Sequence, residues 1–85
     1  MADVNADRTE LLRAEKKLLV KADSDIEEGR RRLRNQQDLL LDLQAGGHDT
    51  KQAERLVELM QTTLTEWERH RTLIVERVAY LETVV

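Results

Sequence analysis

The sequence contains no cysteine, no proline and no phenylalanine, and its only aromatic residues are one tryptophan and one tyrosine. The absence of cysteine excludes a disulfide framework, a thiolate zinc site and a thiol nucleophile. Strands favour aromatic and β-branched residues, so an aromatic content of 2% argues against a β-fold. Charged residues make up 36% of the chain, which is typical of long helices whose outer faces lie in water.

Long hydrophobic runs and a strong excess of one charge are also missing. No apolar stretch approaches the length of a membrane span, and residues 1–7 contain neither a basic nor an apolar segment. We therefore expect no signal peptide, no membrane contact and a cytoplasmic protein. A net charge of -3 gives no general attraction to nucleic acid. High charge also suits disorder, but the apolar residues recur at helical spacing, which favours a folded chain.

In each half of the chain, apolar residues recur every seven positions, a spacing typical of coiled-coil helices. In the first half, the series that we label a holds Leu12, Leu19, Ile26, Leu33 and Leu40. In the second half, the d series holds Ala53, Met60, Trp67, Ile74 and Leu81, and the a series holds Val57, Leu64, Arg71, Val78 and Val85. The 85 residues are therefore expected to form one helical-hairpin domain, 1–85.

The stretch between the two series predicts the turn of the hairpin. Gly46 or Gly47 is expected to end the first helix in the left-handed conformation, and His48 is expected to be a solvated loop residue. Asp49 is the expected N-cap of the second helix, with Gln52 at the capping-box position and Thr50 as the competing cap.

The expected ranges are about 7–45 for helix 1, 46–49 for the turn and about 50–84 for helix 2. A glycine-rich turn before a helix can also bind an anion, but no strand precedes it and no Lys-Ser/Thr pair follows.

Folding the chain at these glycines brings the two series together in one antiparallel register, in which Leu12 meets Leu81 and Leu40 meets Ala53. Trp67 falls in the seam between the helices, where core packing is its expected role. Gly29 lies beside Trp67 in this register. Its missing side chain either makes room for the indole or is a flaw that the helix tolerates.

The two faces beside the seam differ in character. On one face the register places Lys16 near Glu82 and Arg30 near Glu68, which predicts a charge-matched surface in water. The other face is apolar at both ends, and we call the following residues the outer apolar face: Leu11, Leu18, Leu39, Leu56, Leu59, Leu73, Tyr80 and Val84. Asp25, Arg32, Thr63 and His70 form its polar centre.

An apolar surface of this size predicts a protein contact. Two hairpins forming a homodimeric four-helix bundle is the simplest arrangement, and an unknown protein partner is the alternative. Tyr80 is the expected anchor of the contact.

Three groups of residues have side chains suited to chemistry or to ligand binding. Asp25 and His70 are predicted neighbours, but no nucleophile lies beside them, which favours a structural polar pair over catalysis. Glu66 and His70 are one helical turn apart, yet a metal site of the bundle type needs a second motif that the chain does not contain. The basic cluster of Arg30, Arg31, Arg32 and Arg34 suits phosphate contact, but the acidic residues before it favour a solvated, salt-bridged face.

The stretch RRRLRNQQDLLLDLQAGGHDTKQAERLVELMQTTL, with HRTLI after it, resembles a family of short uncharacterised bacterial proteins. In these proteins a leucine- and glutamine-rich helix leads into a Gly-His-Asp-Thr turn and a second helix that contains Ala-Glu. The resemblance centres on Gly47, His48, Asp49, Thr50, Ala53 and Glu54. It implies a bacterial helical hairpin and supplies no catalytic residues.

Together these observations predict an all-α antiparallel hairpin that acts as a non-enzymatic structural or adaptor protein through helix–helix contacts. We expect no catalytic residue, no cofactor, no metal site and no small-molecule substrate. A small regulatory nucleic-acid-binding protein, using the basic cluster, is the alternative.

Overall fold

The computed structural model describes residues 4–85. Helix α1 comprises Val4–Ala45 and helix α2 comprises Lys51–Val84. The helices pack against each other along a rod of 68 × 19 × 15 Å, and residues 4–85 contain no strand. The predicted all-α helical hairpin is therefore confirmed.

Helix α1 begins earlier than expected, and the turn is one residue longer than expected. Helix α1 is already helical at Val4 rather than from about residue 7, and α2 begins at Lys51 after a turn that spans 46–50. Near the open end of the hairpin α1 is joined to α2, because the Arg8 guanidinium donates a hydrogen bond to the Val84 carbonyl at 3.4 Å. Carbonyls in the last turn of a helix lack intrahelical partners, so this bond joins the two open ends.

Helix α1 ends in a Schellman motif that requires Gly47. The His48 N–H donates to the Leu43 carbonyl at 3.0 Å, and the Gly47 N–H donates to the Gln44 carbonyl at 3.2 Å. Gly47 has a φ of 71°, a left-handed conformation that glycine adopts without a steric penalty. The His48 ring folds back over Gly46, since a Cβ built on Gly46 would lie 2.8 Å from the imidazole Cδ2.

Helix α2 is capped differently from the expected arrangement. Its N-cap is Thr50, so the expected N-cap at Asp49 with Gln52 in the capping box is wrong. The Thr50 side chain makes no capping hydrogen bond and contacts Glu54 instead, at 3.2 Å. Asp49 still supplies the capping group, because its carboxylate reaches two residues ahead and accepts the Lys51 N–H at 3.1 Å.

The seam between the helices follows the predicted register. Five apolar side chains from the a and d series are buried in it: Ile26, Val57, Leu64, Ile74 and Leu81. On the charge-matched face, Lys16 and Glu82 approach to 3.4 Å and Arg30 and Glu68 to 2.8 Å. Both predicted ion pairs are therefore confirmed.

Candidate interaction surface

Two charged residues lie at the seam, Arg71 of the a series and Glu15, which follows Leu12 by three positions and so has heptad position d on α1, and each is paired across the seam. Arg71 donates from Nε to the Asp23 carboxylate, and this hydrogen bond raises the pKa of the guanidinium. Glu15 accepts from Arg77 Nε at 3.1 Å. Each charge is satisfied within the hairpin, so the seam itself has no unpaired charge to offer to a ligand.

Gly29 and Trp67 shape the middle of the hairpin. A Cβ on Gly29 would lie 2.8 Å from Leu64 Cδ2 and 3.2 Å from Trp67 Cζ3, so the glycine makes room first for Leu64 and then for the edge of the indole. The expectation that Trp67 packs in the core is wrong, because 42% of this residue is exposed. A two-helix seam has no third wall, and a side chain as large as indole therefore packs along one edge and leaves the rest in solvent.

The outer apolar face is largely uncovered in the single hairpin. Its first seven residues, Leu11, Leu18, Leu39, Leu56, Leu59, Leu73 and Tyr80, are between 40% and 64% exposed. Val84 differs, being half-buried at the open end where its carbonyl accepts from Arg8. Exposed leucines that line one side of a helical rod are typical of a protein contact.

Two adjoining depressions run along the middle of this face and meet at Asp25 and Trp67. The larger has a volume of about 370 Å³ and is lined by Asp25, Glu28, Gly29, Arg32, Leu59, Met60, Thr63, Leu64 and Trp67. The smaller, of about 250 Å³, is lined by Leu18, Lys21, Ala22, Asp25, Trp67, His70 and Ile74. Gly29 lines the larger depression and Ala22 the smaller, so each depression lies where α1 has a small residue.

The charges around the larger depression are arranged in pairs along α1. Lys21 donates to Asp25 at 2.7 Å, and Arg32 approaches Glu28 at 3.2 Å. The pKa of the Glu28 carboxyl lies below its usual range because Arg31 donates a hydrogen bond to it, and the charges of Arg31 and Arg32 act in the same direction. Positive and negative groups therefore alternate along α1 beside the two depressions.

The residues with potential chemistry are not assembled into a reactive site. Asp25 and His70 line the same depression, as predicted, but the Asp25 carboxylate is hydrogen-bonded to Lys21. Glu66 approaches Arg69 at 3.4 Å rather than joining His70. Within residues 4–85, no group of three His, Asp or Glu side chains is placed to hold a metal ion.

The basic cluster is largely neutralised by neighbouring carboxylates. Arg30 binds Glu68, and Arg31 and Arg32 both approach Glu28. Arg34 lines a shallow depression together with Glu27 and Glu28. This geometry is a salt-bridged face, and it does not favour phosphate binding.

No family model, curated protein or solved structure matches the chain. The resemblance to short bacterial hairpin proteins therefore stays a prediction. In the part of the chain that is described, neither helix is long and apolar enough to cross a membrane.

Proposed function

We propose that this hairpin is a non-enzymatic helix–helix interaction module whose outer apolar face is covered by a second copy of the chain, giving a four-helix bundle. The observation that carries the proposal is the uncovered face itself. Seven of its eight residues are at least 40% exposed, whereas the whole seam buries five apolar side chains among the described residues. Two helices alone leave more apolar surface in water than a small stable domain tolerates.

The accessible area supports the same conclusion. The hairpin exposes 6624 Å². A compact monomer of its mass, 9.9 kDa, exposes about 5200 Å² by the usual scaling. The excess, about 1400 Å², is larger than the roughly 800 Å² that each partner buries in a standard stable interface. A flat side-by-side contact along the rod is therefore large enough for a stable dimer.

We propose a bacterial, cytoplasmic scaffold or adaptor role for this module, because the outer apolar face offers a surface for helix–helix contact. Nucleic-acid binding has no supporting observation, since three of the four clustered arginines are paired with carboxylates.

The proposal is tested by the absolute mass in solution, measured by light scattering behind a sizing column. The test variant carries Leu18→Glu and Leu73→Glu, which place two charges on the outer apolar face. The control variant carries Val20→Glu and Leu41→Glu, which are 71% and 62% exposed but follow the a series by one position and so lie on the other side of α1.

We expect the wild type and the control to have the mass of a dimer and the test variant to have that of a monomer. A wild-type monomer would contradict self-association. A test variant that stays dimeric while remaining helical would show that the contact lies on another face.

A further inference from the structure

We infer that the two hairpins dock with their turns at opposite ends, about a two-fold axis that crosses α1 between residues 28 and 29. In this arrangement, Asp25 of each copy is paired with the partner's Arg32. The inference rests on the proposed self-association and specifies its geometry. It follows from the way in which charges and leucines are spaced on the outer apolar face.

The charges fix the position of the axis. Asp25 and Arg32 have the same heptad position on α1, seven residues apart, and both line the larger depression. A two-fold axis perpendicular to α1, halfway between them, places Asp25 opposite the partner's Arg32 and Arg32 opposite the partner's Asp25. Two identical ion pairs then form across the interface, which is the reciprocity that an isologous contact requires.

The same axis also aligns the leucines, which did not enter its choice. Leu18 and Leu39 are equally distant from the point between residues 28 and 29. Leu18 of one copy therefore meets the partner's Leu39, and Leu39 meets the partner's Leu18. On α2, the seam register places the axis between residues 64 and 65, and Leu56 and Leu73 are equally distant from that point. One symmetry operation therefore pairs Asp25 with Arg32, Leu18 with Leu39 and Leu56 with Leu73, whereas Leu59 falls at the level of the partner's His70.

The axis passes over the Gly29–Leu64 layer, where the larger depression lies. The larger depression of one copy thus faces the larger depression of the other. The half-exposed indole of Trp67 in each copy lies beside the axis, where the partner shields it from water. Glu28 is also close to the axis in both copies. Its negative charge is compensated within its own helix, by Arg31 at 2.5 Å and Arg32 at 3.2 Å.

Docking with both turns at the same end is the competing arrangement. It places α1 over the partner's α2 at equal height, so that Arg32 lies opposite the partner's Leu59 and Thr63. Arg32 would then keep its own Glu28, at 3.2 Å, but would face an apolar side chain and no carboxylate of the partner. Docking at opposite ends adds an opposite charge from the partner to Asp25 and to Arg32, beyond the pairs with Lys21 and Glu28 that each makes within its own helix.

The arrangement is tested by a distance measurement between spin labels, because the chain contains no cysteine and a single introduced thiol is labelled uniquely. Ala45→Cys places the label at the end of α1, exposed and next to the turn. Docking at opposite ends separates the two labelled positions by 33 residues along the bundle, or about 50 Å at the helical rise. Docking at the same end places them on diagonal helices, within about 30 Å.

We expect a pulsed dipolar distance near 50 Å. A distance below 30 Å would overturn the inferred axis but leave the dimer intact. A monomeric mass with no dipolar coupling would overturn self-association as well, so the two failures are distinguishable.

A mixing experiment tests the Asp25–Arg32 pair directly. Asp25→Arg alone and Arg32→Asp alone each create two like-charge contacts, and each is expected to weaken the homodimer at least about tenfold. An equimolar mixture of the two variants restores both opposite-charge contacts and is expected to form a heterodimer close to wild-type affinity. If mixing fails to restore association, the pair does not cross the interface.

Discussion

Gly29 is the residue whose role is most sharply defined by its neighbours. An alanine in place of a mid-helix glycine normally stabilises a helix by about 1 kcal/mol. Here the new Cβ would lie 2.8 Å from Leu64 Cδ2, and Leu64 is buried, so the methyl groups must shift in a packed seam. We therefore expect Gly29→Ala to give no gain or a small loss in the free energy of unfolding, measured by urea denaturation.

The appropriate control is the same substitution in a Leu64→Ala background, where the obstructing methyl groups are absent. There, Gly29→Ala is expected to gain about 1 kcal/mol, the ordinary helix-propensity benefit. Equal effects in both backgrounds would mean that Gly29 is a tolerated flaw and that the close approach to Leu64 has no energetic consequence.

The turn is an element in which two adjacent glycines have different roles. Gly47→Ala forces a side chain into a left-handed conformation and is expected to cost about 1–2 kcal/mol, even though no atom lies within 4 Å of the new Cβ. Gly46→Ala meets the exposed His48 ring, which can swing into water, and makes only an ordinary contact with the Asp42 carbonyl at 3.5 Å, so we expect a change within about 0.5 kcal/mol. Thermal unfolding of the two variants side by side measures the difference. Equal losses at both positions would contradict the assignment of Gly47 as the left-handed residue.

The start of α2 allows a second comparison between neighbours. Asp49→Ala removes the carboxylate that accepts the Lys51 N–H and is expected to cost about 1 kcal/mol. Thr50→Ala removes only an exposed contact to Glu54, so its cost is expected to be a few tenths of a kcal/mol. Urea denaturation of both variants measures the two costs, and the larger loss in Thr50→Ala would show that the threonine hydroxyl is the capping group in solution.

The helices and their register were predictable because heptad spacing is a repeated signal, and the pairs Lys16–Glu82 and Arg30–Glu68 follow directly from it. Individual side chains were less predictable. Trp67 occupies a core position of the heptad, yet its exposure depends on how much volume two helices enclose, which spacing alone does not reveal. Asp25 and His70 line one depression, as expected, but the Asp25 carboxylate accepts a hydrogen bond from Lys21. Lys21 lies one turn away on the same helix, so this bond forms without any contact between the two helices.

At the scale of the whole molecule, shape and burial explain why the single hairpin is incomplete. A rod 68 Å long and 15–19 Å across has a high ratio of surface to volume, and each layer of its seam has only two contributors. Two helices are enough to bury an aliphatic side chain such as Ile74, which is 1% exposed, but a side chain as large as the Trp67 indole stays 42% exposed and needs at least a third helix to cover it. A second hairpin on the outer apolar face supplies two helices at once and converts the exposed indole and leucines into an interior.

If folding and association are coupled in this way, stability depends on protein concentration. The free energy that favours the folded dimer changes by about 1.4 kcal/mol for each tenfold change in concentration, so a hundredfold dilution removes about 2.8 kcal/mol. We expect the thermal midpoint of the wild type to fall by several degrees on such a dilution, measured by circular dichroism at 222 nm in cells of different path length. The Leu18→Glu, Leu73→Glu variant is expected to melt at a lower temperature that is independent of concentration, because a monomer has no association step to lose. A wild-type midpoint that also stays constant would mean that one hairpin is stable by itself, and the outer apolar face would then have to be explained by a partner other than a second copy.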